Sequence, residues 1–271
     1  MPNKVRLDTL MVNRGLAETR EKAKRTIMAG LVFSDNVAMD KPGVKVNDDI
    51  SLHVKGKAIP YVSRGGLKLE KALQTFDIGV EGKILMDIGS STGGFTDCAL
   101  QNGAVKSYAI DVGYNQLAWK LRNDERVVVM ERTNFRYVTP EDLTEGYAEI
   151  ASIDVSFISL KIILPVLATL LHIGGDVVTL IKPQFEAGRE QVGKKGIVRD
   201  AKVHKHVLQD ILSFAVETGY TVEDVTFSPI TGGDGNIEFL AHLTLSDEGT
   251  PKIQPTIDID DVVKQAHDAH K

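Results

Sequence analysis

The chain has 271 residues, 42% of them hydrophobic, which suffices for one sizeable core and a small second module. Its single cysteine, Cys98, excludes a disulfide framework and a cysteine-rich metal site, and a reducing cytoplasm is the natural home for such a protein. The net charge of −5 hides an asymmetry: residues 1–59 carry 11 Lys and Arg against 7 Asp and Glu, a net of +4, and the remainder is net −9.

The first eight residues contain no apolar leader core, and the longest apolar candidate, Ile162 to Leu171, is half the roughly 20 residues a spanning helix needs. No membrane segment is expected. The seven histidines are scattered, and His204 and His206 fall on different faces of a helix, so no metal site is expected either.

The basic N-terminal part reads as two short helices and a few strands. Leu7, Leu10 and Met11 form an apolar stripe on the first helix, and Thr19 can cap a second that runs to about Met28 before Gly30. Leu31-Val-Phe and Ile50 to Val54 alternate like short strands. Arg6, Arg14, Arg20, Lys22, Lys24 and Arg25 lie on and beside the helices and are the candidate phosphate contacts. Arg6-Leu-Asp, Arg14-Gly-Leu, Arg20, Ala23, Ile27, Gly30 and Val32 together resemble the small RNA-binding module named after ribosomal protein S4. A solvated basic hairpin is the plainer alternative.

Residues 55–63 look like a linker because Gly and Pro interrupt the periodicity, and a boundary near 59 follows. Beyond it, helices and strands alternate: helix 67–75, strand 83–88, helix 94–102, strand 106–112, helix 115–123, strands 127–131 and 150–155, helix 159–171, strand 176–182 and helix 202–218. Thr221–Phe227 and Ile237–Leu245 then read as an antiparallel pair at the sheet edge. The fold class is α/β: a doubly wound, mostly parallel, Rossmann-like sheet over 60–245, preceded by a small α+β domain over 1–59. An acidic tail, 246–271, carries one short helix near 258–268.

Within this pattern, Asp87-Ile-Gly89-Ser90-Ser91-Thr92-Gly93-Gly94-Phe95 reads as a cofactor turn between a buried strand and a helix. Asp111, at the end of the next strand, can accept both hydroxyls of a ribose. The glycines run G-x-x-x-G-G rather than G-x-G-x-x-G, and Asp87 precedes the turn, where it would repel a phosphate. An adenosine cofactor without phosphates fits better, which points to S-adenosylmethionine, with Asp87 receiving the methionine ammonium. The alternative is an ordinary glycine-rich turn of another α/β protein.

Four charges stand where apolar residues are expected. Asp154 ends one apolar strand and Lys182 another, Glu238 lies within a third, and Lys68 opens the helix that leads into the sheet. Ends of parallel strands converge on the cofactor crevice, so Asp154 and Lys182 should meet there. The order Lys68, Asp154, Lys182, Glu238 is similar to the Lys-Asp-Lys-Glu tetrad of FtsJ-type ribose 2′-O-methyltransferases. The phrases around Lys68, Asp87, Asp154 and Lys182, with Gly193-Lys-Lys-Gly-Ile-Val-Arg-Asp, resemble the TlyA family over nearly the whole chain. That resemblance implies a ribosomal RNA cytidine 2′-O-methyltransferase, with ribosomal RNA or ribosomal subunits as partners and Asn134 and Asp154 beside the cofactor.

The segment 183–200, with Arg189, Lys194, Lys195 and Arg199, reads as a loop that closes over RNA. Phe185 is a candidate to stack on a flipped base, whereas Phe157 is better explained by core packing. The TlyA family also carries the name haemolysin, but neither a spanning segment nor a strongly amphipathic basic helix supports lysis. A non-catalytic RNA-binding protein is the other alternative.

Overall fold

The computed structural model describes residues 4–28, 30–35, 37–55, 59–193, 195–232, 235–247 and 250–270. Residues 56–58 of the expected linker and Lys194 of the expected loop lie outside these. The chain divides into two compact units, Met1–Arg64 and Gly65–Lys271.

In the first unit β1 (Lys4–Arg6) leads directly into α1 (Leu7–Asn13), followed by α2 (Arg20–Met28), β2 (Val32–Ser34), β3 (Val37–Ala38), β4 (Lys45–Asn47) and β5 (His53–Val54). The stripe Leu7, Leu10 and Met11 is buried against Ala23, Ile27 and Val32. Each such leucine contributes about 2 kcal/mol of burial, and the two helices could not hold together in water without it. Thr19 caps α2, its hydroxyl accepting from the Lys22 amide at 3.2 Å. β1 pairs antiparallel with β4, and β2 lies between β3 and β5.

The second unit opens with α3 (Gly65–Phe76) and continues through β6 (Ile84–Ile88), α4 (Gly94–Gln101), β7 (Lys106–Ile110), α5 (Trp119–Arg122), β8 (Val127–Met130), β9 (Ala148–Ile153) and α6 (Leu160–Leu167). It ends with β10 (Leu171–Ile181), α7 (Pro183–Glu186), α8 (Ala201–Glu217), β11 (Tyr220–Phe227), β12 (Phe239–Leu245) and α9 (Ile259–Ala269). The seven strands form one sheet in the order β11-β12-β10-β9-β6-β7-β8. β6 to β10 run parallel, and β12 pairs antiparallel with both β10 and β11. Because β6 and β9 are central and adjacent, the loops at their carboxyl ends face each other across the crevice.

Four expected elements differ. Glu238 precedes β12 rather than lying within it. The expected helix 115–123 shrinks to one turn at Trp119–Arg122, because Asn115, Gln116 and Leu117 direct their amides to the Glu131 carboxylate instead of to one another. The expected helix 159–171 stops at Leu167, and β10 begins at Leu171. The expected strand 176–182 is the last part of β10, whose pairing with β9 is irregular between Leu171 and Asp176, where Gly174 and Gly175 lie.

The C-terminal helix packs back on the sheet unit. Val263 and Ala266 of α9 are buried, and Lys205 of α8 pairs with Asp260 at 2.7 Å. Fully buried His204 lies 3.0 Å from His267 through Nδ1 and 3.2 Å from the Val198 carbonyl through Nε2. A carbonyl only accepts, so Nε2 carries the hydrogen; burial and the His267 neighbour push the His204 pKa down to about 4. Ahead of α9, the Val222 amide donates to Lys252 O at 2.8 Å and the Gln254 amide to Val222 O at 3.0 Å, so this segment lies along edge strand β11. Among the described residues, no helix is long and apolar enough to cross a membrane.

Candidate active site

Four elements deliver the four charges to one point. Lys68 stands in the first turn of α3, Asp154 and Lys182 immediately follow β9 and β10, and Glu238 immediately precedes β12. Lys68 Nζ lies 2.7 Å from Glu238 Oε2 and 3.4 Å from Asp154 Oδ2, and Lys182 Nζ lies 2.5 Å from Asp154 Oδ1. All four are largely withdrawn from water, with Asp154 the most open at 20% side-chain exposure. Lys182 also donates to Ser156 Oγ at 3.3 Å, and Gln184 to Glu238 Oε1 at 3.3 Å.

Burial disfavours the Lys68 ammonium, but Asp154 and Glu238 outweigh it and hold its pKa above the ordinary lysine value. Burial likewise disfavours the Asp154 carboxylate, and Lys68 and Lys182 on either side hold it below the ordinary carboxylate range. Two cations and two anions thus balance in a small volume, a state paired buried charges require.

Beside this network opens a cavity of about 440 Å³, lined among others by Gly89, Ser91, Asp111, Gln116, Asn134 and Asp154. Asp154 therefore belongs to both the cavity and the ion-pair network. Asp111 accepts from the Ser91 amide at 2.7 Å through Oδ2 and from the Gly113 amide at 2.7 Å through Oδ1. Gly89 has φ +83°, and a Cβ there would lie 2.5 Å from the Asp154 carbonyl oxygen. Only glycine permits the β6 turn to come so close to the residue after β9.

The chemistry of this lining suits an adenosyl group: a half-exposed carboxylate for a ribose diol, with Phe135, Ile158 and Ile163 as apolar surface for a base. Two carboxylates on the wall oppose a polyphosphate.

Of the expected cofactor residues, Gly89, Ser91, Asp111, Asn134 and Asp154 line the cavity, while Asp87, Ser90, Thr92, Gly93, Gly94 and Phe95 do not. Asp87 is 1% exposed and already engaged, accepting from the Thr96 amide at 3.0 Å, Thr96 Oγ1 at 2.7 Å and Ser152 Oγ at 3.1 Å. Burial pushes its pKa up to about 6 despite these bonds. These bonds tie β6 to α4 and β9. Gly93, at φ +93°, starts α4 where a Cβ would collide with Leu117 and Leu121, so its glycine serves packing.

The expected RNA-contacting residues divide in two. Arg6 and Arg20 both grip Asp8, whose side chain is fully buried, at 2.8 and 3.1 Å, and Arg14 donates to the carbonyls of Asp48 and Ile50. These three hold the fold of the first unit. Lys22 and Lys24 make only exposed pairs, with Glu18 and Glu21. Arg25 has no ion pair among the described residues and lines a surface groove with Lys22.

Phe157 corrects the core-packing expectation. It is 90% exposed with φ +64°, and its ring lies 4.8 Å from that of Phe185. The expected loop 183–200 contains α7 and a short turn at Arg189–Gln191, and its far end is fixed, because the Val198 amide donates to Asn236 Oδ1 at 3.0 Å. Sequence reasoning missed Gln116, Thr133 and Arg136 of the lining, none of which carries a motif signal.

The FtsJ-like methyltransferase family matches residues 61–245, and the S4 domain matches residues 5–49. The chain is 66% identical over 265 residues to the Bacillus subtilis protein YqxC, whose name proposes an rRNA methyltransferase; the match covers 97% of this chain and 94% of the relative. It is 43% identical over 244 residues to the 16S/23S rRNA (cytidine-2′-O)-methyltransferase TlyA of Mycobacterium tuberculosis, covering 90% and 91%. A solved structure of a candidate haemolysin from Streptococcus thermophilus superposes with a TM-score of 0.80 at 57% identity, covering 99% of this chain and 97% of that one.

Proposed function

Because the chain belongs to the TlyA family of FtsJ-like methyltransferases with an N-terminal S4 domain, we propose that it methylates the 2′-hydroxyl of a cytidine in ribosomal RNA. S-adenosylmethionine supplies the methyl group as a carbon on a sulfonium centre, open to in-line attack. The observation that carries the reading is the Lys68–Asp154–Lys182–Glu238 network opening on a cavity that shares Asp154 with it.

Asp111 and Asn134, both on the cavity wall, would hold the donor, Asp111 by accepting from its ribose hydroxyls. Lys182, after giving one proton to water, orients the 2′-hydroxyl of the RNA through its free amine and takes up the hydroxyl proton as the new C–O bond forms and the sulfonium C–S bond breaks, the donor leaving as a neutral thioether. Asp154, held ionised by Lys68, stabilises the resulting ammonium from 2.5 Å. Glu238 keeps Lys68 in place at 2.7 Å. Exposed Phe157, with half-buried Phe185 beside it, offers a stacking surface for a base turned out of its helix. Residues 1–59 supply phosphate affinity through Lys22, Lys24 and Arg25, and a cytoplasmic location accords with the single, buried Cys98.

The test is tritiated methyl transfer to purified ribosomal subunits, followed by mapping methylated riboses in RNA from cells with and without the gene. A cytidine that loses its 2′-O-methyl group in the deleted strain supports the reading. No incorporation and identical maps would refute it.

A further inference from the structure

Glu131, the first residue after β8, points its carboxylate into the turn that follows β7. Oε2 accepts from the Asn115 amide at 2.9 Å, and Oε1 accepts from Gln116 at 2.9 Å and Leu117 at 3.2 Å. Arg122 Nη2 stands 2.8 Å from Oε2, and the Glu131 side chain is 7% exposed. Three successive amides converging on one point make a backbone nest suited to an anion. Here the chain fills the nest with its own side chain.

The same turn is tied along its length. The Asp111 amide donates to Met130 O at 3.1 Å, Arg132 to Gly113 O at 2.9 Å and Thr133 to Asp111 O at 2.9 Å. Asn115 holds φ +57°, a conformation an L side chain keeps only when its surroundings impose it. What the turn carries faces the cavity: Gln116 lines it, and the Gly113 amide bonds Asp111 Oδ1 at 2.7 Å. Glu131 is not among the lining residues.

We propose that Glu131 is a positioning residue for the methyl donor, organising the turn 113–117 into the cavity wall and thereby presetting Asp111. The inference rests on the donor site described above. A turn released from Glu131 must be ordered each time the donor binds, and that conformational entropy is taken from affinity. The reacting groups at Lys182 belong to other loops, so the bound complex should react at an unchanged rate. Arg122 and the amides hold the Glu131 carboxyl down at about 2 against the effect of burial, so the clamp stays ionised across any assay range.

The experiment is calorimetric titration of the full chain with S-adenosylmethionine, paired with methyl-transfer kinetics on ribosomal subunits. Glu131→Gln should weaken donor binding and raise the donor KM about ten-fold, with kcat at saturating donor within about two-fold. Glu131→Asp keeps the charge and shortens the reach, and should fall between. Asp124→Asn is the control: it unties Arg126 on the same edge, where Asp124 accepts three bonds, without touching the turn. It should leave donor affinity unchanged even where it lowers Tm. Wild-type donor affinity in both Glu131 variants, or a fall in kcat at constant KM, overturns the positioning role. Absence of donor binding by the wild-type chain would instead overturn the donor site itself.

Discussion

Lys182 Nζ and Asp154 Oδ1 lie 2.5 Å apart at the ends of two adjacent parallel strands, so the sheet register itself sets their contact. Arginine in place of Lys182 keeps a charge opposite Asp154 but is larger, planar and unable to give up its proton. Lys182→Arg and Lys182→Ala should each lower methyl transfer at least about a hundred-fold, with donor affinity near wild type. Single-turnover kinetics with parallel calorimetry measures both. Survival of Lys182→Arg alone would remove the proton-accepting role and leave positioning by charge.

Gly89 and Asp111 should fail in different ways. Gly89→Ala drives a Cβ to 2.5 Å from the Asp154 carbonyl at a positive φ, so it should impair both donor binding and turnover. Asp111→Ala removes only a cavity acceptor, and donor affinity should fall about ten-fold or more while the fold persists, the order expected when a charge-assisted hydrogen bond is removed. Calorimetry and thermal melting separate the two, and unchanged affinity in Asp111→Ala would count against the donor orientation.

Asp87 should announce itself through pH. Its folded pKa is raised to about 6, so the native state holds a proton that the unfolded chain has released. The stability this provides is complete below the ordinary Asp value and is lost as pH rises through about 6. Between pH 5 and pH 7 the loss from this group is roughly 1 kcal/mol. Asp87→Asn cannot titrate, so denaturant melts at the two pH values should show a smaller decline than wild type. Parallel declines would contradict the raised pKa.

In the first unit the sign is opposite. The Arg6 hydrogen bond holds the Asp8 carboxyl well below its ordinary range against burial, with Arg20 assisting, so the stability it gives is present above the ordinary carboxylate pKa and lost on acidification below it. Arg6→Ala and Arg20→Ala should lower the melting temperature and flatten that acid limb. Lys22→Ala, Lys24→Ala and Arg25→Ala should leave melting unchanged, yet reduce the slope of RNA affinity with salt by about one for each phosphate no longer neutralised. Circular dichroism and filter binding distinguish the two sets; a reversed pattern would reassign them.

Phe157 is exposed, so Phe157→Ala should leave stability and donor affinity alone. If it stacks on an extruded base, methyl transfer to ribosomal subunits should fall roughly ten-fold, the order of one base–aromatic stack. Wild-type kinetics would return Phe157 to the status of a bystander.

The strand ends were legible because a charge closing an apolar run, as at Asp154 and Lys182, can only be tolerated where the strand leaves the core. Lys68 and Glu238 were legible through resemblance, although β12 starts two residues later than its apolar pattern suggests and leaves Glu238 just ahead of it. Gly89 and Gly93 look alike in sequence, yet one opens toward the cavity and the other packs under Leu117 and Leu121. Which glycine does which depends on residues about 25 to 65 positions away. Arg6 and Arg20 read as surface charge because their partner, Asp8, sits in a helix whose buried face is fixed only by packing. Phe157 reads as core because Val-Ser-Phe-Ile is apolar on average, and a positive φ turns the ring outward.

The segment around Ile253 that lies along β11 occupies hydrogen-bonding positions an outer strand would otherwise show to other molecules. An uncovered strand of this kind is a template for pairing with a neighbouring chain. The segment around Ile253 thus covers part of the outer edge of the sheet, and removing it would leave the Val222 amide and carbonyl open to pairing with another strand.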